Sequence, residues 1–417
     1  MRIKEFQFDF DLTGDIIPYN FLWLEDSPTK EDIDQITIPF VYYDCSEKLG
    51  EVFKESKITH LLLGKKYGES LENLPLGLTH LLFDKNSAFD KPLDNIPPAV
   101  THIFLGSWFD NDVGKLHEGL KVIQFGTYFN QHIDSLPDTV THIKLDSYFS
   151  SSIRKLPASL EHFLIYNYSH IFLDKFPDSL EYMEIVSGEG SCVDLINTSQ
   201  LKHLKIHSGS GMFMNINEFP DTMEFLEIGY NAPSCTIRKM PTSLKYLDLG
   251  KHYHGNIKGC SPNLKILKIG DDFNGTVENL SDSIIEMELG DHFDSVIRKF
   301  PKSLRKLKFG RNFNQLLDNL PIKLRKLTLG ALFNQELNFL PPSLRTLIIG
   351  IMFNQQLNLL PDNLENLTIK NPKYSYDLIN LPLNLKSLVV SKSFRKEISV
   401  PESCIVEKIY NFALIII

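Results

Sequence analysis

Leu304-Arg305-Lys306-Leu307-Lys308-Phe309-Gly310-Arg311-Asn312-Phe313-Asn314-Gln315-Leu316-Leu317-Asp318-Asn319-Leu320-Pro321 is a pattern that restarts at Leu324, Leu344 and Leu364. Looser copies extend it from Ile58 to Val390 at a period of 20 to 22 residues, about seventeen copies in all. A unit this short has one buried face and must pass its apolar edge to the next copy, so the pattern predicts a solenoid. Function is therefore expected on a surface and not in a deep pocket.

The anchors of the pattern survive where its spelling decays. The central anchor runs Leu61, Leu81, Ile103, Ile123, Ile143, Phe163, Met183, Leu204, Leu226, Leu247, Leu267, Met287, Leu307, Leu327, Leu347, Leu367 and Leu388, and the positions three before and two after it are apolar in every copy. The anchor and the residue two further on share strand parity and point inward, while the residues before and between them point out. Stacked in register, these short strands predict one long parallel sheet. A Gly follows the strand in ten copies, among them Gly64, Gly126, Gly310 and Gly350, where a left-handed or crowded backbone would exclude a side chain. Three residues later an aromatic recurs, as at Phe109, Phe129, Phe273 and Phe313, and predicts a second stacked spine. The Asn after it, as in Asn130, Asn314, Asn334 and Asn354, suits a turn or an amide ladder that satisfies backbone groups. Pro six residues before the anchor, as at Pro75, Pro137, Pro301 and Pro321, disfavours helical returns and predicts extended or 3-10 ones.

The unit resembles the FNIP repeat family, whose pattern couples a Leu-rich strand, a Gly, a Phe-Asn pair and an Ile/Leu-Pro. The matching residues include Phe313-Asn314-Gln315 with Leu320-Pro321 and Phe129-Asn130-Gln131 with Leu136-Pro137, and the likeness spans about four fifths of the chain. It is also similar to leucine-rich repeats, with their L-x-x-L-x-L strand. The resemblance implies a leucine-rich-repeat-like, mainly β solenoid from amoebae or from the giant viruses that infect them. It also implies an F-box ahead of the repeats in many members, which makes such proteins substrate adaptors of a ubiquitin ligase complex. Residues 1 to 56 depart from that pattern: the alternation Ile3-Lys4-Glu5-Phe6-Gln7-Phe8-Asp9-Phe10 and the run Ile36 to Tyr43 read as strands, not as short amphipathic helices. The organisation expected is an N-terminal cap at 1–57, a solenoid at 58–390 and a C-terminal cap at 391–417.

Copies from Phe163 to Leu226 lose the Gly and the Phe and gain the Gly/Ser patches Ser187–Ser191 and Ser208–Gly211. They read as drifted repeats with longer loops, or as a hinge or partner-specific bulge. The tail Asn411–Ile417 is too short for a membrane anchor and suits a terminal strand over the last open sheet edge, or a homodimer contact through that C-terminal edge.

Net charge of −9 and a pI near 5.8 argue against a nucleic-acid partner. Five scattered cysteines without a C-x-x-C point to reduced thiols. There is no apolar N-terminal signal segment and no run long enough to span a bilayer, so the expectation is no membrane and a cytoplasmic setting, that of the host if the source is viral. No P-loop, H-E-x-x-H, G-x-S-x-G or G-x-G-x-x-G motif is present, and His252-Tyr253-His254 has no third ligand near it in sequence. No catalysis, cofactor or metal site is expected.

The outward position just before the anchor divides into zones. His60, His80, His102, His142, His162 and His203 form a histidine ladder accompanied by Thr59, Thr79, Thr101 and Thr141, read as sheet packing or as pH-sensitive partner contact. Tyr182, Phe225 and Tyr246 put aromatics beside Glu184, Glu227 and Asp248, which is a hot-spot composition and also a sheet-stabilising one. Arg305, Lys306, Lys308, Arg325, Lys326 and Arg345 make a basic stripe suited to an acidic peptide or phosphates. The function expected is a protein–protein interaction scaffold. The alternatives are the ubiquitin-ligase adaptor and a structural protein that self-associates.

Overall fold

The structure, a computed structural model, describes residues 2–9, 17–167, 176–187, 200–207, 219–229 and 237–410. The chain divides into two compact units, Met1–Ser210 and Gly211–Ile417. In the first, the strands are β1 (Arg2–Phe8), β2 (Ile17–Leu24), β3 (Phe40–Tyr43), β4 (His60–Leu63), β5 (His80–Phe83), β6 (His102–Phe104), β7 (Val122–Gln124), β8 (His142–Leu145), β9 (His162–Asn167), β10 (Tyr182–Ser187) and β11 (His203–Ile206). In the second they are β12 (Phe225–Ile228), β13 (Tyr246–Asp248), β14 (Ile266–Ile269), β15 (Glu286–Leu289), β16 (Lys306–Phe309), β17 (Lys326–Thr328), β18 (Thr346–Ile349), β19 (Asn366–Ile369), β20 (Ser387–Ser391) and β21 (Ile405–Ile409).

Within each unit the repeat strands, β4–β11 and β12–β20, pair in parallel with anchor opposite anchor, as Leu61 opposite Leu81 and Leu307 opposite Leu327. A one-residue slip would turn every anchor outward, and burial of the anchors is what forbids it. Leu307 and Leu327 are 1% and 0% exposed, and all seventeen anchors are buried. Each fully buried side chain of this size contributes about 2 kcal/mol of hydrophobic stabilisation, and the ladder repeats that contribution at every turn. The fold is a parallel-sheet solenoid.

The returns contain no helix among the described residues of the repeats. The Pro carbonyl instead opens a turn closed by the N–H three residues on, Leu324 N to Pro321 O at 3.0 Å and Leu344 N to Pro341 O at 3.0 Å. The turn after the strand is tight for a different reason. A Cβ at Gly310 would fall inside the contact distance of the Gly290 carbonyl, and the same holds for Gly330 over Gly310. Crowding of one turn on the next therefore selects glycine here, and Gly250 alone in this column also has a positive φ, 63°.

The expected aromatic spine is present in both units. Phe109 stacks on Phe129 at 6.0 Å between ring centroids, Phe313 on Phe333 at 6.2 Å and Phe333 on Phe353 at 6.2 Å. Beside it runs the amide ladder: the Asn334 N–H donates to Asn314 Oδ1 at 2.9 Å, and the Asn354 N–H donates to Asn334 Oδ1 at 2.8 Å. The Gln of each Phe-Asn-Gln triplet reaches back to the preceding turn, Gln335 Nε2 to the Asn314 carbonyl at 3.0 Å and Gln355 Nε2 to that of Asn334 at 3.1 Å. The three residues of the triplet therefore act differently, since the ring stacks, the amide accepts a backbone N–H, and the glutamine ties consecutive turns.

The parallel register continues back beyond Ile58. Tyr42 and Trp23 align in β3 and β2, and β1 folds back antiparallel on β2. Between β2 and β3 lies a five-residue helix, α1 (Lys30–Asp34), capped by Thr29 and Asp32 in a reciprocal capping box. β2 joins the sheet through Leu22–Leu24, and β1 packs Phe6 and Phe8 on the outward face. Phe8 meets the ring of Phe104 at 6.3 Å although β6 is four strands from β2, about 19 Å along a flat sheet. Leu62, Leu82 and Phe104, at outward positions expected to face solvent, are 1%, 0% and 5% exposed in a cluster packed with Phe6 and Phe8 of β1, and Tyr42 and Trp23 continue their column on β3 and β2. The expected strand at 411–417 and the Gly/Ser patches at 188–191 and 208–211 lie outside the described residues.

Candidate functional site

The histidine column stands on β4, β5, β6, β8, β9 and β11. His60 stacks on Phe40 at 4.1 Å, His80 on His60 at 4.0 Å, His102 on His80 at 4.1 Å and His162 on His142 at 4.3 Å. Their threonines orient them. Thr79 Oγ1 donates its one proton to the Thr59 carbonyl at 3.0 Å, so its 2.9 Å contact with His80 Nδ1 must be an N–H donated by the imidazole. Thr101 with His102 and Thr141 with His142 repeat the arrangement. Burial, and secondarily the neighbouring imidazoles, disfavour the charged form and lower the pKa of His60 to about 4 and that of His80 to about 3.

Of the aromatic candidates, Tyr182 is tied down: its hydroxyl donates to Glu184 at 2.7 Å, and Lys205 lies 5.8 Å from its ring. His203, the exposed member of the histidine column, sits 6.2 Å from Tyr182 between ring centroids. In the second unit Phe225 and Tyr246 stack face to face at 4.2 Å, and Lys268 covers Tyr246 at 5.5 Å.

The basic stripe is half neutralised within the sheet. Lys306 pairs with Glu286 at 2.9 Å, Lys308 pairs with Glu288, and Arg345 pairs with Glu365 at 3.0 Å. Glu365 also receives Lys386, and the bond from Lys386, then the nearby charges, hold its carboxyl below the usual range. Among the described residues Arg305, Arg325 and Lys326 have no carboxylate within ion-pair distance. Lys306, Lys308 and Lys326 share the rim of a shallow groove of about 290 Å³ with Lys370, over a floor that includes Thr328 and Ile348.

Three features escaped the reading of single columns. Lys370 occupies the place of Gly310, Gly330 and Gly350 in the preceding turns, which a column-by-column comparison marks. Trp108, Tyr128 and Tyr148 form an exposed stack with centroids 4.6 and 4.9 Å apart, one residue ahead of the buried Phe spine. His252 does gain neighbours in space: its Nδ1 lies 2.5 Å from Asp272 Oδ2, and His292 Nδ1 lies 3.3 Å from Asp272 Oδ1. The bond from His252 lowers the Asp272 pKa. Among the described residues no group of three or more His, Cys, Asp or Glu is arranged to hold a metal ion, and no helix is long and apolar enough to cross a membrane.

Buried anchors, a parallel sheet and, among the described residues, returns without a helix define a leucine-rich-repeat-like solenoid. The FNIP Repeat family profile matches residues 112–148 and 296–332, one stretch in each unit, and the chain carries FNIP repeats. Among solved structures, YopM from Yersinia enterocolitica WA-314 is similar at 17% identity and a TM-score of 0.56, covering 88% of this chain and 85% of YopM. That likeness speaks to the fold alone. CroV588, described as a novel circular LRR protein structure, matches at 20% identity over 84% of this chain and 75% of its own, with a TM-score of 0.37. No curated protein matches the chain.

Proposed function

We propose that the protein is a non-catalytic protein–protein interaction scaffold that binds its partner through the outward face of its parallel sheet, chiefly that of the second unit. The observation that carries this is the order of chemistries on that face. The Phe225–Tyr246 stack is followed by Glu286 and Glu288, then Lys306, Lys308 and Lys326, then Thr346 and Asn366, all fixed by buried anchors beneath them. Distinct side chains held in register on a rigid frame give a partner many simultaneous contacts without ordering the scaffold first. His80, His102 and His142 of the first unit serve the sheet more than a partner, because their Nδ1 protons are committed to threonines.

The same reading puts the protein in the cytoplasm, that of an amoebal host if it is viral. The test is capture of bound proteins by the intact chain and by a variant with Arg305, Lys306, Arg325, Lys326 and Arg345 all changed to Glu. A second variant reverses five charges on the return segments. A partner lost only with the sheet-face variant supports the proposal; equal capture by all three contradicts it. Ubiquitin-ligase subunits among the partners would favour the adaptor alternative, and capture of the chain by itself would favour self-association.

A further inference from the structure

We infer that the groove over β16–β19 takes a doubly negative segment of a protein partner, either two adjacent acidic side chains or one phosphorylated Ser or Thr; this rests on the scaffold reading above. The groove exists because side-chain length changes along one column. Lys308, Thr328 and Ile348 are register neighbours, so a long cation gives way to two short side chains and a trough opens beyond it. Its far rim is Lys370, which enters from the turn after β19. The glycines at the equivalent place in the three preceding turns leave bare backbone there, and the lysine is half buried.

Four lysines face two glutamates in this groove. Lys306 and Lys308 are satisfied by Glu286 and Glu288, and among the described residues Lys326 and Lys370 have no carboxylate within ion-pair distance. Two ammonium charges are left over beside an apolar floor. Burial, and secondarily the charge of Lys308, pushes the Lys370 pKa down, so an incoming anion relieves an existing cost. With Glu286 and Glu288 balanced by Lys306 and Lys308, the surplus of two cations is matched by two negative charges on the partner. The groove also has no aromatic side chain on which a nucleic-acid base could stack.

The test uses the full-length chain and three labelled peptides of one neutral sequence, carrying a phosphoserine, an Asp-Asp pair or an unmodified serine, read by fluorescence anisotropy. The double variant Lys326→Gln, Lys370→Gln is compared with Lys323→Gln, Lys373→Gln, which removes the same charge from exposed positions outside the groove. The expected result is binding of a charged peptide that weakens with salt, falls at least about tenfold, roughly 1.4 kcal/mol, in the groove variant, and is unchanged in the control. The stronger of the two charged peptides identifies the source of the anion. Equal binding by both variants, no binding of either charged peptide, or tighter binding of a single-stranded oligonucleotide at the same lysines overturns the inference. If the peptides fail while partner capture still depends on the sheet face, the scaffold reading stands without the groove; if capture is also indifferent, both fall. Matching melting temperatures of the two double variants exclude misfolding as the cause.

Discussion

Replacing Asn334 with Ala removes one acceptor from the amide ladder and little else. The Asn354 N–H, now 2.8 Å from Asn334 Oδ1, loses its partner, while Gln355 Nε2 loses its 3.3 Å contact with the same oxygen but keeps the Asn334 carbonyl at 3.1 Å. A buried N–H left unsatisfied costs about 1–3 kcal/mol. Because Asn334 is half buried, water recovers part of this, and the expected loss is about 1–1.5 kcal/mol. For a cooperative unit of this size that is a fall in Tm of roughly 3–5 °C. Asn334→Asp keeps the acceptor, and the chain already uses Asp294 in that place, where it receives the Asn314 N–H at 2.8 Å. The aspartate variant should therefore stay within about 0.5 kcal/mol of the parent. Chemical denaturation followed by circular dichroism measures the global effect, and amide hydrogen exchange at Asn354 measures the local one. Equal losses in both variants, or unchanged exchange at Asn354 in the alanine variant, would refute the account of the ladder.

Gly310→Ala should destabilise by about 2 kcal/mol or more through collision with the Gly290 backbone, visible as a lower urea midpoint. Leu327→Asp places a charge in a fully buried position and should abolish the cooperative transition of the second unit in calorimetry. Acid should weaken the first unit early. With folded pKa values near 4 for His60 and 3 for His80 against 6.5 when unfolded, their contribution is complete above pH 6.5 and declines as pH falls from there toward 4. Urea midpoints at stepped pH should show His80→Gln with a shallower decline over that window. Phe8→Ala should uncover Leu62, Leu82 and Phe104 and raise binding of an apolar dye with little change in far-ultraviolet circular dichroism.

The core was legible because inward positions obey a strict spacing: Leu304, Leu307 and Phe309 could be placed from any one copy, and the structure buries all three. The outward face was less legible, since what covers or neutralises it comes from elsewhere in the chain. Leu62, Leu82 and Phe104 look like surface until Phe6 and Phe8 of β1 are packed against them. Lys306 and Lys308 look like a cationic stripe until Glu286 and Glu288, twenty residues earlier, are seen beside them on the next strand. The significance of Lys370 lies in the glycines it replaces, a contrast that appears only when the turns are stacked.

Lysine footprinting tests the central claim most directly: Lys306, Lys308, Lys326 and Lys370 are acetylated in the free chain and in its complex with a captured partner, and compared by mass spectrometry with Lys302, Lys323 and Lys373. Binding through the sheet face predicts that the first four become protected while the other three keep their reactivity. Protection of Lys302, Lys323 and Lys373 with the groove lysines unchanged would put the partner on another surface and contradict the account.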